Sequence, residues 1–176
     1  MPFVHLTYYV WSERLIGSIG DQKFSMRAVS GGGRGGKKPD NTLASYGAYR
    51  GKDAATGQRG GTLPPGYYRV EKPSTYGGSI HGPPISKLTP ISIDEPFAAL
   101  NPTSTPDAPY GRDYEKEPFL IHGPGVKGSD GCIVIDWTHR KPLLDEVEAV
   151  DAGITLRVTR EDPDGILDSP NLTVTA

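Results

Sequence analysis

The stretch of sequence that decides the fold is residues 119–136, which read FLIHGPGVKGSDGCIVID. Two apolar runs, residues 119–121 and 133–135, are rich in β-branched side chains and predict two strands. The segment between them is dense in glycine and contains a proline, which is typical of a turn or loop. His122 ends the first predicted strand, and Cys132, the only cysteine in the chain, begins the second. If the strands pair antiparallel, these two side chains meet across the neck of a hairpin.

This pairing would place a nucleophile beside a base. A cysteine attacks a carbonyl carbon only as the thiolate, and an unperturbed cysteine has a pKa of about 8.5. A neighbouring imidazole can accept the thiol proton or stabilise the ion pair, so His122 and Cys132 predict a catalytic pair. Gly131 allows a tight turn that would expose the sulfur, and the amides of Gly131 and Cys132 are candidates for binding an oxyanion. Ser129 is expected to cap the loop or to line the site.

Each of these residues also has a purely structural interpretation. A lone cysteine is most often a small buried hydrophobe, and a lone histidine is usually a packed polar side chain. The spacing of the two residues around a glycine-rich loop favours the catalytic interpretation.

Composition points to one loop-rich β domain. The 176 residues are enough for a single core, and they include 23 glycines and 17 prolines. A formal net charge of -2 argues against nucleic acid or an anionic membrane surface as partner. One cysteine excludes an internal disulfide, and a zinc site is not expected from one cysteine and four scattered histidines. We expect a mainly β catalytic domain over residues 1–162, with a twisted, partly closed sheet and one main helix, followed by a loosely attached tail over 163–176.

Local patterns place the main elements. Alternating apolar residues over 3–11 predict a strand, and residues 14–19 and 23–29 predict a hairpin that completes a three-stranded meander. A helix is expected over 138–150, with Pro142 in its first turn and Leu143, Leu144 and Val147 on its apolar face. The last strand is expected over 154–160.

Two segments read as long loops. Residues 30–63 hold few large apolar side chains and predict a long surface loop. Within it, residues 31–38 are rich in glycine and basic side chains; a phosphate-binding loop is the alternative there, but the Gly-Lys-Ser/Thr ending and a following helix are missing. Residues 94–117 are polar and rich in proline and predict an insert that forms a lid or rim or recognises a partner. Residues 1–5 lack the pattern of a secretory signal, and no run is long enough to span a bilayer, so we expect neither a signal peptide nor membrane insertion.

The central stretch resembles a known active site. Ile121-His122-Gly123, followed by Ser129-x-Gly131-Cys132, is similar to the motif of L,D-transpeptidases of the YkuD type. The short spacing between histidine and cysteine is similar to that of the L,D-transpeptidase/carboxypeptidase toxins delivered by bacterial type VI secretion. Larger family members have a second histidine where this chain has Asp130, and many have arginine where it has Val134. The resemblance covers residues 3–160, with a gap over 94–117.

The resemblance implies a YkuD-like fold and a cysteine-dependent enzyme without a cofactor. Its substrates would be the tetrapeptide stem of peptidoglycan and D-amino acids, with Cys132 as nucleophile and His122 as base, oriented through the carbonyl of Gly123. It also implies synthesis in the cytoplasm, action in the periplasm of a target bacterium, a type VI delivery component and a cognate immunity protein.

Further site residues are expected around this pair. In the family resembled, residues matching Ser30 and Gly31 border the cleft. His81 precedes a strand with the pattern Leu88-Thr89-Pro90, and it either binds substrate or is an exposed turn residue. Pro64-x-Gly66-x-Tyr68 also resembles a family feature, which we interpret as mainly structural. The remaining candidates for substrate binding are Asp130 and Arg112.

Two other functions remain open. A papain-like peptidoglycan amidase or peptidase would use the same residue types, but such enzymes usually place the cysteine before the histidine in the chain. A non-catalytic module that binds the cell wall or serves as secretion cargo would keep the sheet and need no reactive thiol.

Overall fold

The strands belong to one mixed sheet. The computed structural model describes residues 3–31, 61–74, 82–95, 98, 118–123, 129, 131–161 and 163. Within these ranges the elements are, in chain order, β1 (Leu6–Tyr9), β2 (Arg14–Ile19), β3 (Gln22–Arg27), β4 (Val29–Ser30), β5 (Gly66–Val70), β6 (Ser86–Ile93), β7 (Phe119–His122), β8 (Ile133–Val134), α1 (Trp137–Ala149) and β9 (Ile154–Thr159).

The sheet is nearly closed and barrel-like. Its strands follow the order β3-β2-β1-β9-β5-β6-β7-β8-β4, so β3 and β4 occupy its two ends. Only Ala28 separates these two strands in the chain, and the backbone therefore passes from one end of the sheet to the other at this residue. The buried hydroxyl of Tyr8 donates a hydrogen bond to the Ala28 carbonyl at 3.1 Å and holds this corner. The prediction of a mainly β fold with a partly closed sheet and one main helix is confirmed.

The N-terminal meander is present as predicted. β1 pairs antiparallel with β2, and β2 pairs antiparallel with β3. The predicted strand over 23–29 is divided at Ala28 into β3 and β4. β1 also pairs in parallel with β9, with Leu6 opposite Leu156, and β9 therefore lies between β1 and β5 in the sheet.

Side chains at both ends hold α1. The Asp136 carboxylate accepts a hydrogen bond from the His139 amide at 3.0 Å and caps the N-terminus. At the other end, the Lys72 ammonium donates to the carbonyls of Glu148, at 2.8 Å, and of Val150. α1 begins at Trp137 and Pro142 is its sixth residue, so the prediction that Pro142 lies in the first turn is wrong.

The core lies on one face of the sheet. Leu143, Leu144 and Val147 of α1 belong to the same apolar cluster as Phe119 and Ile121 of β7. The predicted apolar face of the helix is therefore the face that packs on the sheet. Tyr68 of β5 packs edge-to-face on Phe119, with 6.0 Å between ring centroids, and its hydroxyl donates to the Pro64 carbonyl at 2.7 Å. These contacts fit a structural role for the segment that contains Pro64 and Tyr68.

Candidate functional site

The two strands that carry the candidate pair are parallel. Ile121 of β7 lies opposite Ile133 of β8, and His122 lies opposite Val134. The predicted antiparallel hairpin is therefore wrong. Because Ile133 is aligned with Ile121, β8 starts beside the C-terminal end of β7 and runs in the same direction. β8 then pairs antiparallel with β4 on its other side.

Parallel pairing still places both candidates on one face. Side chains alternate between the two faces of a strand, and Phe119 and Ile121 point into the main core. Leu120 and His122 therefore belong to the opposite face. Cys132, which precedes β8, packs with Leu120 in a second cluster. The thiol and the imidazole thus share a face of the β7–β8 pair, away from the main core.

The sulfur is not exposed. Cys132 is 8% exposed and forms a small apolar cluster with Ile85 and Leu120. The expected tight turn is present, since Gly131 has a φ of 90°, in the left-handed region that favours glycine. The expectation that this turn exposes the sulfur is wrong, because the turn directs Cys132 against Leu120 and Ile85. Apolar surroundings disfavour a thiolate, so reactivity at this position requires a proton acceptor close to the thiol.

His122 is half-buried and is held by its neighbours. Its Nδ1 lies 2.8 Å from the carbonyl oxygen of Gly123. A carbonyl oxygen can only accept, so Nδ1 is the protonated nitrogen of the neutral ring and Nε2 carries the lone pair. The Ile135 amide donates to the His122 carbonyl at 2.9 Å and fixes the backbone of the same residue. A general base needs this combination of a fixed ring and an unprotonated nitrogen.

Ser129 links the loop to the segment beside Cys132. Its buried hydroxyl donates a short hydrogen bond to the Cys132 carbonyl and lies 3.4 Å from the Gly31 amide, which donates to it. The Ser129 amide in turn donates to the Gly31 carbonyl at 3.0 Å. Ser129 therefore positions the backbone of Cys132, which fits the prediction that it caps the loop.

Ser30 and Gly31 lie next to this segment. Ser30 pairs with Ile133, the residue after Cys132, in the β4–β8 ladder. The Ser30 hydroxyl accepts a hydrogen bond from the Leu63 amide at 2.9 Å. Both residues are buried, and their part in substrate binding stays a prediction.

Three candidates lie outside the described residues: His81, Asp130 and Arg112. The same holds for most of the glycine-rich segment 31–38, of the insert 94–117 and of the tail 163–176. In the part of the chain that is described, no three side chains of His, Cys, Asp or Glu converge on a common metal position. No helix in these ranges combines the length and the apolar character needed to cross a membrane.

Arg140 is a site residue that the sequence analysis missed. It is 1% exposed, and its guanidinium donates to three backbone carbonyls, those of Gly82, Pro84 and Ile135. Burial lowers the pKa of Arg140, and the nearby Asp136 carboxylate acts in the opposite direction. A signal was available, because Arg140 lies one turn before Leu143 and Leu144 on the apolar face of the helix. A charged residue at a core position indicates a specific buried contact.

The site thus combines a half-buried histidine of defined tautomer, a buried thiol on the same face, and a serine and an arginine that hold the surrounding backbone. No protein-family model and no curated protein matches this chain.

Proposed function

We propose that this protein is a cysteine-dependent L,D-carboxypeptidase or L,D-transpeptidase that acts on the stem peptide of peptidoglycan. One observation carries the proposal. His122, whose Nδ1 donates to the Gly123 carbonyl, is the last residue of β7, and Cys132 directly precedes the neighbouring strand β8. The two side chains lie on the same face of this strand pair. The resemblance of the His-Gly and Ser-x-Gly-Cys segments to L,D-transpeptidases supplies the reaction class and the substrate.

The first half-reaction forms a thioester. His122 Nε2 takes the proton of the Cys132 thiol, and the thiolate attacks the carbonyl carbon at the L-centre of meso-diaminopimelate, the third residue of the stem. The negative charge that develops on the oxygen would be stabilised by the amides of Gly131 and Cys132. The bond from this carbonyl carbon to the nitrogen of D-alanine then breaks, and the protonated His122 gives its proton to the departing amine.

The second half-reaction releases the enzyme. Water, or the amine of a D-amino acid, loses a proton to His122 and attacks the thioester carbonyl. The carbon–sulfur bond breaks, and the Cys132 thiolate regains a proton from His122. Water gives carboxypeptidation and an amine gives exchange or transpeptidation, so the balance depends on how easily water reaches the thioester.

The burial of Cys132 makes the histidine essential to this proposal. Bulk solvent does little to stabilise a thiolate at a sulfur packed against Leu120 and Ile85. An adjacent imidazole is the group that can take the thiol proton. We further propose that the protein is an antibacterial toxin delivered by type VI secretion, with a cognate immunity protein. These two partners follow from the resemblance.

The test is release of D-alanine from purified tetrapeptide muropeptides. Cys132→Ala and His122→Ala should each abolish release and leave the fold intact by circular dichroism. His139→Ala is the matched histidine control, because His139 is exposed on α1 and its ring contacts Asp136; it should keep full activity. Adding a D-amino acid should divert part of the product to exchange. Undiminished release by Cys132→Ala would remove the proposal.

A second candidate, a non-catalytic module that binds the cell wall or serves as secretion cargo, is favoured by one observation. Cys132 is buried among apolar side chains, as structural cysteines commonly are. This candidate predicts saturable binding to sacculi, no change in muropeptides and a Cys132 thiol that iodoacetamide or a carbapenem does not modify in the native protein. A mass shift on Cys132 with a carbapenem would favour the enzyme.

A further inference from the structure

We infer that Arg140 is a positioning residue that holds His122 in the orientation and tautomer needed to take the Cys132 proton; this inference rests on the proposed function. Arg140 lies outside the His-Gly and Ser-x-Gly-Cys motifs on which the resemblance to L,D-transpeptidases rests. Its role is argued from its contacts alone.

The first contact is with the backbone that holds His122. Arg140 Nη1 donates to the Ile135 carbonyl, and the amide of the same Ile135 donates to the His122 carbonyl at 2.9 Å. The guanidinium therefore fixes the residue that fixes the main chain of the histidine. Hydrogen bonds from a charged donor are stronger than those between neutral groups, which suits this bridging role.

The second contact is with Gly123. A Cβ atom built on Gly123 would lie 2.7 Å from Cζ and 2.8 Å from Nη2 of Arg140, so the guanidinium packs directly on this glycine. The Gly123 carbonyl is the group that accepts from Nδ1 of His122. A side chain at this position would have to displace the guanidinium, and the arginine in turn limits rotation of the peptide group that selects the histidine tautomer.

The third set of contacts anchors the guanidinium itself. Nε donates to the Pro84 carbonyl at 3.0 Å, and Nη2 donates to the Gly82 carbonyl at 2.7 Å. Ile85, which follows Pro84, packs against Cys132. One side chain therefore links the turn after His122, the end of β8 and the segment that leads to the apolar neighbour of the thiol. Only a planar group with several fixed donors can bridge these segments, and a lysine ammonium cannot.

The experiment compares Arg140→Lys with the wild type. Lysine keeps the charge and loses the planar donors, so His122 should lose its single orientation while the fold remains. A misplaced base lowers turnover strongly, and we expect D-alanine release to fall about 10- to 100-fold. NMR of ¹⁵N-labelled histidine should show His122 with a protonated Nδ1 in the wild type and a mixture of tautomers in the variant. Alkylation of Cys132 by iodoacetamide, followed from about pH 5 to pH 9, should lose its low-pH component in the variant.

Gly123→Ala is the second variant. Its methyl group displaces the Arg140 guanidinium without any change to the arginine itself, and the Gly123 carbonyl that accepts from His122 is kept. It should produce the same mixture of tautomers. Arg157→Lys is the matched control: Arg157 of β9 pairs with Asp94 at 2.7 Å and stacks on Tyr67, away from His122. It should leave the tautomer, the alkylation profile and the turnover unchanged.

A folded Arg140→Lys protein with one His122 tautomer and wild-type turnover would overturn the inference. Loss of the native fold in both Arg140→Lys and Gly123→Ala would also overturn it, since Arg140 would then serve only the fold. Failure of the proposed function looks different. In that case the wild type releases no D-alanine, while the tautomer and the alkylation profile still change in Arg140→Lys and stay constant in Arg157→Lys.

Discussion

Two buried serines near the site should respond in opposite ways to replacement by alanine. Ser129 is buried, and its hydroxyl donates to the Cys132 carbonyl and accepts from the Gly31 amide. Ser86 of β6 is also buried, but its hydroxyl has no hydrogen-bond partner among the described residues. Alanine removes the same single oxygen at both positions, so the difference between the variants isolates the value of the hydrogen bonds.

The magnitudes follow from the two environments. The bond from Ser129 to Cys132 contributes about 1 kcal/mol to the free energy of unfolding, and the long bond from Gly31 contributes about 0.5 kcal/mol. A buried carbonyl and a buried amide then lose their partner, so we expect Ser129→Ala to destabilise the protein by about 2 kcal/mol. Ser86→Ala removes a desolvated hydroxyl that nothing satisfies and should leave stability unchanged or raise it by up to about 1 kcal/mol.

Urea unfolding followed by tryptophan fluorescence measures both changes, with calorimetry as a second probe. For a chain of this size, about 2 kcal/mol corresponds to a decrease in Tm of about 4–8 °C in Ser129→Ala. The m-values of the two variants should agree, since neither replacement changes the surface exposed on unfolding. A Ser129→Ala protein at least as stable as Ser86→Ala would refute the argument that Ser129 holds the backbone of Cys132.

Three further changes test the supports around the site and the helix, each by urea unfolding. Gly131→Ala places a side chain at a φ of 90° and should lower the free energy of unfolding by about 1–2 kcal/mol. The turn before Cys132 should shift, and alkylation of the thiol should therefore become slower. An unchanged alkylation rate would show that this turn does not position the thiol. Asp136→Ala should cost about 1 kcal/mol through loss of the helix N-cap, whereas Asp136→Asn should cost less. The hydrogen bond from the His139 amide lowers the pKa of Asp136 in the folded protein. The charged carboxylate therefore stabilises the fold fully above the pKa of an ordinary carboxyl group, about 3.9. This contribution is lost as the pH falls through the lower pKa of the folded state. The stability of the wild type should therefore fall toward that of Asp136→Asn in acid, and parallel pH curves would contradict the argument. Lys72→Met should cost about 1 kcal/mol, because the last carbonyls of α1 lose their cation; a neutral result would mean that water replaces it fully.

Much of the architecture could be predicted from local patterns. The alternation around β1, the hairpin of β2 and β3, the apolar face of α1 and the last strand all appear close to the predicted positions. Each depends on a period of 2 or 3.6 residues that is visible within a few neighbours. The placement of His122 and Cys132 at the ends of adjacent apolar runs is local in the same sense.

The direction of β8 could not be predicted in this way. A glycine-rich segment such as 123–132 can form a hairpin turn or return the chain for a parallel pair, and its composition is the same in both cases. The choice depends on β4, which pairs with β8 from residues about a hundred positions earlier in the chain. The exposure of Cys132 was mispredicted for a related reason, because Ile85 belongs to a distant segment.

The sequence by itself determined a mainly β domain with one main helix, and it placed a histidine and a cysteine at the two ends of a glycine-rich loop. Those features depend on side-chain periodicity and on the turn preferences of glycine and proline. Only the tertiary structure decided that β7 and β8 run in parallel, that the thiol is buried, and that the Arg140 guanidinium packs on Gly123. These properties depend on hydrogen bonds and packing between segments far apart in the chain, and no local pattern records them.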